Sequence, residues 1–79
     1  MFIQISEGTY IPINEIKLIN QYDGRVISRL VKDLKEKELI LDMTSGKKKN
    51  TVILLKDNTG ILITESAESV IERIRKVSV

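Results

Sequence analysis

The run Val52-Ile53-Leu54-Leu55, bounded by Thr51 and Lys56, constrains this chain more than any other stretch. Strand side chains alternate between faces, so a run with no polar position predicts a central strand covered on both sides, by helices or by another subunit. Shorter β-competent pieces surround it. Phe2-Ile3-Gln4-Ile5 alternates, Ser6-Glu7-Gly8 has turn chemistry, and Thr9-Tyr10-Ile11 is an extended piece that Pro12 confines to a sheet edge or ends. A third strand is expected over Glu15 to Tyr22, with a helical turn over Asn14 to Leu18 as the competing reading. Leu39 to Asp42, Thr51 to Lys56 and Ile61 to Ile63 supply three more strands. Asp57-Asn58-Thr59-Gly60 joins the last two in a hairpin, with Asn58 and Gly60 able to take positive φ.

Two segments carry helical rather than strand periodicity. Between Arg25 and Lys37, the residues Val26, Ile27, Leu30, Val31 and Leu34 form one apolar stripe, with Asp23 as a candidate cap. Arg29 with Asp33, Lys32 with Glu36 and Asp33 with Lys37 are opposite-charge pairs four residues apart, each worth roughly 0.2 to 0.5 kcal/mol. After Ser66, a favoured N-cap, a second stripe consists of Ala67, Val70, Ile71, Ile74 and Val77. Glu68 lies near the positive end of that helix's dipole, and Arg73, Arg75 and Lys76 lie near the negative end. The expected fold is α+β, in the order β-β-β-α-β-β-β-α: a small antiparallel sheet of five to six short strands with two α-helices. The 79 residues are read as a single domain, 1–79. A chain of that size is near the lower limit for a self-sufficient core, so self-association is expected.

The chain has neither Cys nor His, which removes disulfides, thiolate metal sites, and the commonest metal ligand and acid/base group. No metal or other cofactor is expected. No apolar run approaches the roughly 18 residues of a membrane span, and no charged-then-apolar leader opens the sequence, so the expected location is the cytoplasm, away from membranes. Phe2, Tyr10 and Tyr22 are its few aromatic residues, which gives base stacking little to work with. No nucleophile is paired with a base, and the isolated glycines match no phosphate-cradling pattern. Asp42, at the end of an apolar strand close to Thr44, is the one acid that stands out. Its ordinary role is a turn that bonds nearby backbone amides, and no enzyme activity is expected.

Formal net charge is only +2, so placement matters more than the total. Lys47, Lys48 and Lys49 are consecutive, in a polar stretch between two β-competent runs, and the pattern predicts a lysine-rich hairpin tip. Such a tip can be merely solvated, its lysines resisting edge-to-edge aggregation. Three adjacent like charges repel, however, and phosphates would neutralise them with release of counterions. Arg25, Arg29 and Lys32 would extend the patch if the first helix lay alongside.

Ile40-Leu41-Asp42, Thr44, Gly46 with Lys47 and Lys48, the following apolar strand, the polar turn and Ile61-Leu62 together resemble the RemA/RemB-type extracellular-matrix regulators of bacteria. The corresponding core of that family reads Leu-Ile-Asp-Ala-Thr-x-Gly-Arg-Arg, followed by strand, turn, strand and helix. The match runs without a gap from Ile3 to Ile74 and includes Gly8, Asn14, Arg29, Val52, Glu68, Val70 and Arg73. The resemblance implies a DNA-binding transcriptional regulator of biofilm-matrix genes, assembled as a ring-like homo-oligomer. Lys47 and Lys48 fall on the family's DNA-binding basic pair, and lysine suits backbone contact better than base readout. A further basic position of the family falls on Glu15, and the segment before the first helix is replaced by Gln21-Tyr22-Asp23-Gly24. The alternative is a scaffold or adaptor paralogue without DNA binding, a reading that gains if Glu15 shares a surface with Lys47 and Lys48.

Overall fold

The computed structural model describes residues 1–78. Strands β1 (Phe2–Ser6) and β2 (Thr9–Pro12) form an antiparallel hairpin of their own, turned at Gly8 and ended by Pro12. A short 3-10 turn over Ile13–Glu15 leads into β3 (Ile16–Gln21): the strand expected over Glu15 to Tyr22 forms, and the competing helical turn over Asn14 to Leu18 does not, because Ile16 to Leu18 are extended in β3. The helix α1 (Arg25–Glu36) follows, then β4 (Ile40–Asp42), β5 (Thr51–Leu55), β6 (Gly60–Ile63) and α2 (Ala67–Ser78). This is the expected element order.

The main sheet has the order β3-β5-β6-β4. It is mixed rather than antiparallel: β3, β5 and β6 pair antiparallel, but β4 pairs parallel with β6. Gly60 lies opposite Ile40 in that parallel contact. A Cβ built there would lie 2.8 Å from Ile40 Cδ1 and 2.9 Å from Leu34 Cδ1. A Cβ there would have to displace those two methyl groups, while the positive φ of the β5–β6 turn is taken by Asn58 at 72°.

The continuous apolar run behaves as its pattern requires. Val52, Ile53 and Leu54 are buried in a central strand. Ile53 packs with Ile61, Ile63 and Val70 beneath Ile3, Ile5 and Ile11 of the β1–β2 hairpin, whereas Val52 packs with Leu62 and Val31 on the side of α1. One face is therefore covered by α1 and the other by the hairpin together with α2.

Local sequence explains most helix ends. Ser66 Oγ accepts the Ser69 N–H at 3.1 Å, the expected N-cap bond of α2. At the end of α1, Glu38 takes a φ of 59°, Leu39 N–H donates to Leu34 O (2.8 Å), and Glu38 N–H donates to Lys35 O (3.1 Å). That is a Schellman motif with Glu where Gly is preferred. Asp23 does not cap α1: Gly24 holds the cap position at φ 85°, without a side-chain bond. Of the three proposed charge pairs, Asp33–Lys37 forms, at 3.1 Å. Val26 is 80% exposed, because Ile27, Val31 and Leu34 set the buried stripe and Val26 falls beside it. No described helix is long and apolar enough to cross a membrane.

Candidate nucleic-acid interface

The lysine triplet lies between β4 and β5, but those strands are not a hairpin. β6 separates them and pairs with both, Asp42 opposite Leu62 and Thr51 opposite Ile63. Residues 43–50 instead form a bridge across the end of β6. Two inter-strand spacings, about 10 Å, have to be spanned, which suits a loop of this length better than a tight turn. The error in the sequence reading has a physical origin: two adjacent β-competent runs look like a hairpin unless a later strand competes for the position between them.

Each end of the bridge is pinned by side chains. Asp42 Oδ1 accepts the Thr44 N–H at 2.9 Å and the Thr44 hydroxyl at 2.5 Å, and Thr44 is buried. This is the turn-forming role expected of Asp42. The Thr44 hydroxyl and then the Thr44 N–H hold the Asp42 carboxyl below its ordinary pKa, with a smaller contribution from Lys49. Ser45 and Gly46 then take φ values of 52° and 82°, and Lys47 N–H donates to Thr44 O at 3.0 Å. Two successive positive φ values identify a type I′ turn, where Gly avoids the Cβ penalty at its second central position.

At the other end, Asn50 joins three segments. Its side-chain amide donates to Thr64 O at 2.6 Å, its backbone N–H donates to Ile63 O at 3.0 Å, and its carbonyl accepts from Tyr22 N–H at 2.9 Å. Thr51 Oγ1 donates to Glu65 O at 2.6 Å. Nothing in the sequence singled out Asn50, because its partners come from other parts of the chain.

The three lysines have different surroundings. Lys47 lines a cleft with Ser6, Glu7, Asp42 and Glu65. Lys48 and Lys49 border a groove whose other walls are Gln21–Asp23, Ser66 and Ala67, so the positive end of the α2 dipole faces the same side. Lys49 Nζ lies 3.7 Å from Asp42 Oδ2, which partly neutralises it. Lys47 and Lys48 are exposed and form no ion pair among the described residues.

The strand registers place the remaining residues. Gln21 pairs with Thr51, and Ile16 pairs with Leu55 at the far end of β3. Arg25, in the first turn of α1, starts at the lysine end, and Arg29 and Lys32 lie successively further along that helix. Glu15 is at the opposite end, where its carbonyl accepts from Lys56 N–H at 2.9 Å. The strand between the two ends covers roughly 15 Å. Glu15 and the lysine loop therefore lie at opposite ends of β3 within one chain.

The segment 64–66, which contributes Thr64 and Glu65 to the cleft and Ser66 to the groove, is itself braced. Arg73 donates to Glu65 Oε1 at 2.7 Å and to Gln4 O at 2.8 Å, and it pairs with Glu65 Oε2 as well. The contact with Glu65 raises the Arg73 pKa. Among the described residues, no group of acids is arranged to hold a metal ion.

Comparison with known proteins adds two findings. Residues 2–74 match the model of a family described as RemA-like, extracellular matrix regulatory protein A-like. A Bacillus cereus (strain G9842) protein named "Putative regulatory protein" is 33% identical over 81 residues, covering 99% of this chain and 76% of that protein.

Proposed function

We propose that this chain, which belongs to the RemA-like family of extracellular matrix regulatory proteins, is a regulator that acts by binding the phosphate backbone of double-stranded DNA. The family and the similar regulatory protein from Bacillus cereus point to regulation rather than catalysis. One observation carries the DNA-binding reading: Lys47 and Lys48 are exposed, with no ion pair among the described residues, on a loop held at both ends. Ammonium groups so placed attract phosphates without reading base edges, so binding would tolerate sequence variation. Lys49 contributes less, because Asp42 already holds it. Arg25 offers a further cation at the same end of the sheet, with Arg29 one helical turn beyond. In this reading the protein controls transcription of extracellular-matrix and biofilm genes in the cytoplasm.

Assembly into a ring-like homo-oligomer would present several such loops together. Apolar exposure supports self-association: Phe2 is 61% and Tyr10 60% exposed on the outer face of the β1–β2 hairpin, and Leu41 is 54% exposed on the edge strand β4. The scaffold alternative rests on Glu15, and the position of that residue at the other end of β3 from the lysine loop gives the alternative no support within one chain. Titration of duplex DNA at several salt concentrations tests the reading, with light scattering to report assembly with and without DNA. Binding should weaken steeply with salt. Absence of binding at low salt overturns the proposal.

A further inference from the structure

We propose that Asn50 is a positioning residue for phosphate binding, an inference that rests on the DNA-binding reading of the lysine loop. β6 ends at Ile63, so the carbonyls of Thr64 and Glu65 lie beyond its last ladder pair. The Asn50 amide and the Thr51 hydroxyl occupy those two acceptors at 2.6 Å each. Asn50 also uses its backbone N–H toward Ile63 and its carbonyl toward Tyr22. One residue thereby joins the end of β3, the start of β5 and the segment that leads into α2.

Lys48 and Lys49 directly precede this junction, and their groove is walled by the segments that Asn50 joins: Tyr22 on one side, Ser66 and Ala67 on the other. Between the Thr44–Lys47 turn and Asn50, the backbone N–H groups of Lys48 and Lys49 make no backbone hydrogen bond among the described residues. The Asn50 anchor is thus the first fixed point of the backbone after the two lysines, as the Lys47–Thr44 bond is the last before them. A lysine stem is flexible, so ordering the backbone beneath it removes part of what binding would otherwise have to order. Asn50 itself carries no charge and would add no phosphate contact.

The roles separate experimentally. Duplex DNA binding is measured at several salt concentrations for the wild-type chain, Asn50→Ala and Lys48→Ala, with melting temperature and hydrogen exchange of the 45–49 amides recorded for each. Asn50→Ala should bind about fivefold more weakly at every salt concentration, the effect expected for one lost ordering hydrogen bond. Its plot of log K against log salt should stay parallel to wild type, and exchange in the loop should accelerate. Lys48→Ala should instead flatten the plot, because one phosphate contact and its counterion are lost. If Asn50→Ala does not fold, Asn50→Ser, whose hydroxyl is too short to reproduce the amide contact, serves the same comparison. Wild-type affinity in the folded Asn50 variant overturns the positioning role alone. A wild-type chain that does not bind DNA at low salt overturns the functional reading beneath it as well.

Discussion

Asp42 holds Lys49 with one carboxylate oxygen, at 3.7 Å, while the other accepts both the hydroxyl and the N–H of Thr44. The same carboxylate therefore shapes the loop and withdraws one of its three charges. Asp42→Asn retains an oxygen for Thr44 but releases Lys49. We expect the salt dependence of DNA binding to steepen by up to about 0.9 per engaged subunit, and stability to change by less than about 1 kcal/mol because the pair is surface-exposed. Salt-dependent titration with a parallel thermal melt checks both.

The acid response of the loop follows from the same contacts. Because the folded pKa of Asp42 is depressed, its stabilisation is fully present above the unfolded value, about 3.9, and is lost as pH falls through the lower folded value. The Thr44 amide resonance should report this step in an NMR titration below about pH 4. In Asp42→Asn the step should vanish. A Thr44 titration that persists in the variant would assign it to another group.

Lys47→Ala combined with Lys48→Ala should reduce the salt slope by about 1.8 for each subunit engaged with DNA, from roughly 0.9 per phosphate contact. Both side chains are exposed and form no ion pair among the described residues, so stability should move by no more than about 0.5 kcal/mol. Lys49→Ala should lower the slope less than either single change at Lys47 or Lys48. An unchanged slope in the double variant would place the DNA contacts elsewhere.

Arg73 links α2 to both β1 and the segment before α2, through Gln4 O and Glu65. Arg73→Ala should cost about 1 to 2 kcal/mol, a charge-assisted network discounted for its partial exposure. A domain of this size should then melt roughly 5 to 15 °C lower. Arg73→Lys should fall between, since lysine keeps the charge and loses the fork. Calorimetry or circular dichroism decides.

Two glycines should fail for different reasons. Gly60→Ala places a methyl group against Ile40 and Leu34 in the packed interior and should cost about 1 to 3 kcal/mol by overpacking. Gly46→Ala meets no atom within 4 Å but sits at φ 82°, so its cost should be about 1 to 2 kcal/mol of backbone strain. In a Leu34→Ala background the cost of Gly60→Ala should shrink, as a double-mutant cycle would show, whereas the cost of Gly46→Ala should not change.

The local patterns were legible wherever a decision depended on neighbours in sequence. The helical stripe through Ile27, Val31 and Leu34, the Ser66 cap, the Asp42 turn and the buried run from Val52 were all readable, because periodicity and hydrogen-bonding groups act over a few residues. At the first turn of α1, small differences in helix start decide exposure and capping, so that Val26 is exposed and Gly24 rather than Asp23 holds the cap position.

The sequence alone determined which segments could be strands or helices, and that three adjacent ammonium groups would fall between two strands. Only the tertiary structure decided that β6 enters between β4 and β5, since strand order depends on contacts between segments distant in sequence. That insertion turns an apparent hairpin into a bridge. It also sets Lys48 and Lys49 beside the start of α2, ties Lys49 to Asp42, and leaves Glu15 at the other end of the sheet.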